Sequence, residues 1–228
     1  MTAPSVRSAL VVGASRGIGL ELVHQYRAQG VAVVATARDE AGLARLAALG
    51  ARALKLDVTE ALSVSGLAWQ IDGEAFDHLI VNAGLFGPDG LGALNTPTAA
   101  DFDAVMRTNV LGPMLVLPQL VDALAPQARL ALITSRMGSI GARTNGNAWL
   151  YRASKAAANS VLRDVAFALQ GRAICVALHP GWVRTDMGGP DADLAVEDSA
   201  RDLRARLSEL TPQHHGGFFD HQGQPLPW

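Results

Sequence analysis

The chain alternates short apolar runs with longer segments in which apolar residues recur at helical spacing. The short runs are rich in Val, Ile, Leu and Ala, which is typical of parallel strands buried on both faces of a sheet. We predict strands at Ala9–Gly13, Val31–Ala37, Ala51–Leu56, Phe76–Asn82, Arg129–Thr134 and Ile174–His179, and a short final strand at Gly217–Asp220.

Helical patterns fill the intervals between these strands. We predict helices at Gly17–Gln29, Asp39–Leu49, Thr59–Ile71, Thr98–Leu124, Trp149–Leu169 and Arg201–Leu210. Asp39 and Thr59 are predicted N-caps, because their side-chain oxygens can accept from free backbone amides of the first turn. Gly30 and Gly50 are predicted to end the first two helices, because glycine adopts the left-handed conformation at low cost.

Strands that alternate with helices predict right-handed βαβ units. The fold class is therefore α/β: a Rossmann fold with a doubly wound parallel sheet of about seven strands and helices on both faces. The chain has no linker, repeat or low-complexity stretch, so we predict one dinucleotide-binding and catalytic domain over residues 1–228.

Composition and charge narrow the function classes. The chain has 49% hydrophobic residues, a net charge of −2 and a pI of about 6.3, so we expect no binding to nucleic acid or to a membrane surface. No apolar run approaches the roughly 18 residues of a membrane span, and Met1–Ser8 lacks a long apolar signal region, which predicts a cytoplasmic protein. The one cysteine, Cys175, is predicted to be a core residue.

Tyr151 and Lys155 are the most informative residues, because the chain contains only two tyrosines and two lysines. They open a helical segment, and residues four apart lie on one face of a helix. A nearby ammonium favours phenolate and lowers the pKa of the phenol, so such a tyrosine can exchange a proton at neutral pH. The alternative is a surface pair without a function.

A glycine-rich turn follows the first predicted strand. Glycines between a strand and a helix let the backbone approach a pyrophosphate, and the helix N-terminus supplies amide donors. The alternative is an ordinary tight turn. The candidate cofactor-binding residues of this turn are Gly13, Ser15, Arg16, Gly17, Ile18 and Gly19.

The end of the second predicted strand favours NADP(H) over NAD(H). An NAD site usually has an acid there to bind the ribose 2′-hydroxyl, whereas this chain has Ala37 followed by Arg38. Arg16 can reach the same place, and two guanidiniums suit a 2′-phosphate. Asp39 is the counterargument, although its predicted role as an N-cap accounts for it.

Two further strand ends carry candidate cofactor contacts. Asp57 and Val58 follow the third strand, where they could meet an adenine ring. Asn82, Ala83 and Gly84 end the fourth strand, where small residues leave room for a flat cofactor. The alternative for both groups is ordinary turn chemistry.

These motifs together resemble the short-chain dehydrogenase/reductase superfamily, and most closely its sniffer-type and C-factor-like carbonyl reductases. The resemblance runs from Leu10 to the C-terminus, and it includes His179–Gly189 and the ending Gly217–Trp228. It implies that Tyr151 is the acid/base and that Lys155 lowers its pKa and binds the nicotinamide ribose.

The resemblance assigns further roles. A serine after the fifth strand polarises the substrate carbonyl; Ser135 is favoured and Ser139 is the rival. Asn109 would help to hold a water that relays protons to Lys155. The candidate residues that border the nicotinamide are Pro180, Gly181, Val183 and Thr185.

Two departures from the family pattern affect these expectations. Val12 stands where a threonine often precedes the first glycine, so we expect one hydrogen bond of the turn to be absent. The interval Arg136–Leu150 is longer than usual and is predicted to form a loop over the site. Asn145, Asn147 and Trp149 are its candidate pocket residues, with a solvent-facing loop as the alternative.

We therefore predict an NADP(H)-dependent oxidoreductase that acts on a small-molecule carbonyl or alcohol, with a carbonyl reductase favoured. The alternatives are a signalling or sensor protein that binds NADP(H) with little turnover, and an NAD-dependent alcohol dehydrogenase. The adjacent His214 and His215 cannot converge on one ion from a regular element, so we predict no metal. The resemblance implies a homodimer or homotetramer, because related enzymes pair through their fourth and fifth helices and the segment Thr98–Leu124 is apolar enough to do so; packing on the sheet is the alternative.

Overall fold

The computed structural model of the protein describes residues 6–88 and 92–228. Residues 1–5, most of the segment predicted to lack a signal region, lie outside the described part. Seven strands form one parallel sheet in the order β3-β2-β1-β4-β5-β6-β7, which confirms the predicted doubly wound fold. The strands are β1 (Ser8–Val12), β2 (Ala32–Ala37), β3 (Arg52–Lys55), β4 (Phe76–Val81), β5 (Leu124–Ile133), β6 (Ala173–His179) and β7 (Phe218–Asp220).

Helices cover both faces of the sheet. They are α1 (Gly17–Ala28), α2 (Glu40–Ala48), α3 (Ala61–Ser65), α4 (Leu67–Gln70), α5 (Ala99–Met106), α6 (Gly112–Gln119), α7 (Trp149–Ala168) and α8 (Val196–Glu209). The side chains of β1 alternate between the faces: Leu10 packs in the core under α3, α6 and α7, and Val11 packs in the core under α1, α2 and α8.

Several predicted helix ends agree with the structure. The Asp39 carboxylate accepts from the Gly42 amide at 2.6 Å and caps α2. Gly30 and Gly50 follow the first two helices with φ of +77° and +76°. In this left-handed region a residue with a Cβ is strained, which is why glycine ends both helices.

The helix predicted at Thr59–Ile71 is wrong in detail. It is two short helices, α3 and α4, separated at Gly66. Thr59 is not an N-cap, because Glu60 holds that position and the amide and hydroxyl of Thr59 both donate to the Asp57 carboxylate. Asp57 and Thr59 therefore form a local turn that delays the start of the helix.

The single helix predicted at Thr98–Leu124 is also wrong. A π-helical turn, Arg107–Leu111, separates α5 from α6, and the Gly112 amide donates to the Arg107 carbonyl five residues back. The last predicted residue, Leu124, already begins β5. A π turn inserts a residue into the helical register and is frequent at functional sites.

No helix in residues 6–88 and 92–228 has the length and apolar character that a membrane crossing requires.

Candidate active site

A cleft of about 340 Å³ opens at the carboxyl edge of the sheet, where the strand order reverses between β1 and β4. Open α/β sheets bind their ligands at this reversal, because the connections on either side leave in opposite directions. Most predicted cofactor residues line the cleft. They are Gly13, Ser15, Arg16, Gly17, Ile18, Arg38, Val58, Asn82, Ala83, Gly84, Tyr151, Lys155, Pro180 and Thr185.

The glycine turn is in close contact with the end of β4. Gly13 has a φ of +84°, and a Cβ added there would lie 2.6 Å from the Ala83 amide nitrogen, so no other residue fits without a shift. The Asn82 side chain donates to the Gly13 carbonyl at 2.8 Å. The turn is thereby fixed at the floor of the cleft.

The glycine turn receives a side-chain hydrogen bond from the neighbouring strand. The Gly13 amide donates to the Thr36 hydroxyl at 3.0 Å, and Thr36 is buried in β2. Val12 has no polar side-chain atom, so the hydrogen bond of a threonine at that position is absent, and Thr36 of the adjacent strand satisfies the Gly13 amide.

Gly17 and Gly19 let α1 begin close to the turn. A Cβ at Gly19 would contact the Gly13 carbonyl and lie 2.7 Å from the Asn82 side-chain nitrogen, so Gly19 packs the helix rather than lining the cleft. The N-terminus of α1 has no side-chain cap. Gly17 and Ile18 of its first turn line the cleft, and first-turn amides that lack a side-chain cap suit an anion such as a diphosphate.

A buried polar atom in the cleft also fits a dinucleotide. The Thr134 hydroxyl lines the cleft, is 2% exposed, and has no hydrogen-bond partner among the described residues. Buried hydroxyls are normally hydrogen-bonded, so this one is free to meet a polar group of a bound molecule. The glycine turn, the uncapped helix and this hydroxyl together form a site whose residues fit a nicotinamide dinucleotide.

Helix α7 places Tyr151 and Lys155 on one face, as their spacing predicts. Both are buried, and the Lys155 ammonium lies 5.8 Å from the centre of the Tyr151 ring. The ammonium donates to the Ile133 carbonyl at 3.1 Å, at the end of β5. This hydrogen bond joins the helix to the strand end from which Ser135 follows.

Burial dominates the ionisation of this pair. It raises the pKa of Tyr151 to about 12, with the Ser135 hydroxyl acting in the opposite direction through a hydrogen bond. Burial also lowers the pKa of Lys155 to about 8. The prediction that Lys155 brings the pKa of the phenol toward neutrality is therefore wrong in this structure, because the desolvation of phenolate is the larger effect.

The structure separates the two candidate serines. Ser135 is buried, interacts with the Tyr151 phenol and accepts from the Met137 amide at 3.1 Å. The Ser139 hydroxyl instead donates to the Pro227 carbonyl at 2.5 Å and accepts from the Ala142 amide at 3.0 Å. Ser139 thus anchors the C-terminal segment, whereas Ser135 lies beside the phenol.

Asn109 lies in the π turn and its side-chain amide makes three hydrogen bonds. Its oxygen accepts from the Leu85 amide at 2.8 Å, and its nitrogen donates to the Leu85 carbonyl at 2.7 Å and to Ser154 at 2.9 Å. Ser154 in turn donates to the Tyr151 carbonyl. Asn109 therefore ties the segment after β4 to α7, and its part in holding a water stays a prediction.

The remaining predicted cofactor residues stand behind the cleft surface. Asp57 is occupied in its turn with Thr59, and Val183 is buried and pairs with Leu194. Gly181 has a φ of +90°, and a Cβ there would lie 2.7 Å from the Leu194 side chain. These residues shape the backbone around the cleft but do not line it.

The loop between Ser135 and α7 is held by Arg152, a buried residue that the sequence analysis missed. Its guanidinium donates to the Asn147 carbonyl at 2.8 Å and to the side chains of Asn145 and Asn147 at 2.6 and 2.9 Å. Both asparagines serve this clamp and are exposed, as is Trp149. Arg152 therefore ties this part of the loop to α7, and the pocket role of its residues stays a prediction.

Comparisons with known proteins agree with this geometry. The model of the short chain dehydrogenase family matches residues 7–193. The C-signal protein of Myxococcus xanthus is 44% identical over 155 residues, which cover 67% of this chain and 92% of that protein.

Two solved structures match nearly the whole chain. A short-chain dehydrogenase/reductase of Burkholderia multivorans with bound NADP superposes with a TM-score of 0.88 and 33% identity, covering 98% of this chain and 100% of its own. The carbonyl reductase Sniffer of D. melanogaster superposes with a TM-score of 0.87 and 29% identity, with the same coverage.

The chain belongs to the short-chain dehydrogenase family. It is therefore an oxidoreductase, and the resemblance inferred from its motifs is confirmed.

Several residues of the dehydrogenase cleft were not predicted. Some had no motif to reveal them, because an apolar or hydroxyl side chain at a strand end looks like ordinary core. The unpredicted lining residues are Thr36, Ala37, Leu56, Thr59, Leu85, Thr108, Ile133, Thr134, Arg184, Asp186, Met187 and Val196. Thr36 and Thr134 share a signal that was available: each is a hydroxyl residue near the end of an otherwise apolar strand.

The lowered pKa of Lys155 predicts a pH dependence of stability. Between pH 8 and the ordinary value of 10.5 the unfolded chain binds a proton that the folded chain lacks, so the free energy of unfolding rises with pH. We expect it to rise in the wild type relative to Lys155→Met, by at most about 1.4 kcal/mol per pH unit. Urea unfolding at pH 7, 8, 9 and 10 measures this difference.

The other lysine supplies the control. Lys55 is exposed and pairs with Glu40. The difference in the free energy of unfolding between the wild type and Lys55→Met should therefore not rise with pH. A wild-type advantage over Lys155→Met that is constant from pH 7 to 10 would contradict the assignment.

Proposed function

We propose that the protein is an NADP(H)-dependent carbonyl reductase. The observation that carries the proposal is the burial of two hydroxyls, Tyr151 and Ser135, and one ammonium, Lys155, at the end of a cleft that fits a dinucleotide. The structural relatives support it, because one has bound NADP and another is a carbonyl reductase.

The choice of NADP(H) rests on charge at the end of β2. Arg38 follows Ala37 there and lines the cleft, and its guanidinium has no partner among the described residues. Arg16, in the glycine turn, lines the same cleft. A guanidinium binds a phosphate dianion through paired charge-assisted hydrogen bonds, so we propose both arginines as ligands of the 2′-phosphate.

When bound, the nicotinamide supplies or accepts the hydride. We propose that the residues around the diphosphate and nicotinamide hold the cofactor through the backbone of the glycine turn, the Thr134 hydroxyl, and Pro180 and Thr185 on the far side. Val58 lines the same cleft, and Asp57, Gly181 and Val183 shape its surface from behind.

The proposed catalytic step is a proton transfer from Tyr151. The hydroxyls of Ser135 and Tyr151 hydrogen-bond the substrate oxygen and stabilise the negative charge that develops on it. Because burial raises the pKa of Tyr151 to about 12, the phenol is protonated at neutral pH and acts as the acid. This favours the reductive direction, in which the alkoxide takes the phenol proton.

Lys155 is the proposed source of the replacement proton. Its pKa of about 8 lets it give up a proton near neutral pH, which an ordinary lysine does not do. We propose that Asn109 is a positioning residue for this proton transfer. Its side chain is hydrogen-bonded to Leu85 and to Ser154, which lies on the helix that carries Lys155.

A signalling role is the second candidate, because the C-signal protein of Myxococcus xanthus is the relative with 44% identity. Retention of Ser135, Tyr151 and Lys155 argues for turnover, since binding alone does not need an acid and its proton source. An NAD-dependent alcohol dehydrogenase remains the third candidate.

Replacement of Tyr151 by Phe tests the acid. Loss of the proton donor should lower kcat for carbonyl reduction by about 10²- to 10⁴-fold, while the Kd for NADPH changes less than about twofold. NADPH oxidation at 340 nm with a panel of aldehydes, ketones and quinones measures the first quantity, and NADPH fluorescence measures the second.

The matched control is Tyr26→Phe, because Tyr26 is buried against His78 away from the cleft. It should keep its activity. If the wild type binds NADPH and reduces nothing in the panel, the signalling candidate replaces the reductase.

Replacement of Arg38 by Ala tests the cofactor preference. Removal of a charge-assisted hydrogen bond to the 2′-phosphate should raise the Kd for NADPH by about tenfold or more and leave the Kd for NADH unchanged. Fluorescence titration with both nucleotides measures this. A preference for NADPH that survives the substitution would remove Arg38 as its cause, and a wild type that prefers NADH would favour the alcohol dehydrogenase.

We propose a homodimer or homotetramer that assembles through the segment Thr98–Leu124. Large apolar side chains are exposed along it, including Phe102 at 49% and Met114 at 52%. Solvent-exposed apolar residues in one patch mark association surfaces.

Replacement of Met114 by Glu should shift the protein toward monomer in light scattering after size exclusion. Leu62→Glu, at another exposed apolar residue, is the control. A wild type that is already monomeric would contradict the proposal. The cytoplasmic location stays a prediction.

A further inference from the structure

An ion pair spans the mouth of the cleft. Arg16, in the glycine turn, lies 2.7 Å from the Asp186 carboxylate, in the segment that follows β6. Both residues line the cleft, and their side chains are 68% and 73% exposed. The two segments also meet at Gly17, where an added Cβ would lie 3.3 Å from the Thr185 methyl group. Asp186 is thus placed to hold the Arg16 side chain.

Arg16 and Arg38 both line the cleft, and the residues that precede them are neighbours. A Cβ added at Gly42 would lie 2.8 Å from the Ala37 Cβ and 2.9 Å from the Ser15 Cβ. Ser15, in the glycine turn, and Ala37, at the end of β2, are therefore neighbours. In the sequence Arg16 follows Ser15, and Arg38 follows Ala37. Arg38 is free of partners among the described residues, whereas Arg16 is engaged by Asp186.

One guanidinium cannot make its best hydrogen bonds to two anions at once. The 2′-phosphate carries more charge than a carboxylate and has three acceptor oxygens, so it can take Arg16 from Asp186. The exchange breaks the Arg16–Asp186 ion pair, which is weak enough to be broken because it is exposed. Breaking the pair would weaken the binding of NADP(H), whereas NAD(H) binds with the pair intact.

We propose that Asp186 is a specificity-determining residue that competes with the 2′-phosphate of NADP(H) for the Arg16 guanidinium. It acts through Arg16 and lowers the preference for NADP(H) over NAD(H). The inference rests on the proposed function, in which Arg16 is a ligand of the 2′-phosphate.

The test is a double-mutant cycle on nucleotide binding. Asp186→Asn keeps the shape of the side chain and removes its charge, so the Kd for NADPH should fall about two- to fivefold, the range of an exposed ion pair. The Kd for NADH should not change. In an Arg16→Gln background Asp186→Asn should no longer lower the Kd for NADPH, because the guanidinium for which the carboxylate and the phosphate compete is missing. Fluorescence titration of both nucleotides at low ionic strength measures all four proteins.

Salt and a distant ion pair provide controls. At 0.5 M salt the gain should shrink, because exposed charges are screened. Glu74→Gln breaks an exposed pair of 2.9 Å with Arg52 at the amino edge of the sheet and should leave both Kd values unchanged.

Three results would overturn the inference. If Asp186→Asn weakened the binding of NADPH and NADH equally, the ion pair would instead help to hold the diphosphate that both nucleotides share. An unchanged Kd for NADPH, or the same gain in the Arg16→Gln background, would remove the competition. If Arg16→Gln weakens NADPH while Asp186→Asn has no effect, only this inference fails. A wild type that binds neither nucleotide overturns the proposed function as well.

Discussion

The close approach of β1 and β4 at the carboxyl edge of the sheet is the constraint on which the rest depends. The strand order reverses between these neighbours, so the chain leaves β1 toward one side of the sheet and leaves β4 toward the other. Their exits touch at Gly13 and Ala83, where a single added carbon would collide with backbone. The cleft exists because no side chain fills this reversal, and every proposed ligand contact is arranged around it.

The same edge sets the chemistry that the proposed function uses. Tyr151 and Lys155 are carried there by α7, and the Ile133 carbonyl holds the ammonium at the end of β5. Burial shifts the two groups in opposite directions, which keeps the phenol protonated and makes the ammonium a readier proton source. In this account desolvation, rather than attraction between the two charges, prepares the pair.

Apolar runs in the sequence predicted the strands, and with them the site residues that lie at the ends of the strands. Apolar runs located all seven strands, because a parallel sheet buried on both faces leaves a strong local signal. Helix continuity was harder to predict: the π turn at Arg107–Leu111 and the break at Gly66 arise from packing and turn contacts that composition does not record.

Contacts between distant segments could not be read from the sequence. Arg16 meets a carboxylate 170 positions away, and Ser139 meets the C-terminal segment. The prediction of a lowered pKa for Tyr151 was wrong for a related reason. The spacing of the residues reveals the neighbouring ammonium but not the depth at which both groups are buried.

Titration of the Tyr151 phenol would show whether burial sets its protonation state. Tyr26→Phe leaves Tyr151 as the only tyrosine in the chain, so NMR of a ¹³Cζ-tyrosine label reports one phenol. We expect the signal to stay that of the protonated form through pH 10, because burial raises the pKa of Tyr151 to about 12. Ionisation at a lower pH than that of free tyrosine would contradict a phenol prepared by desolvation.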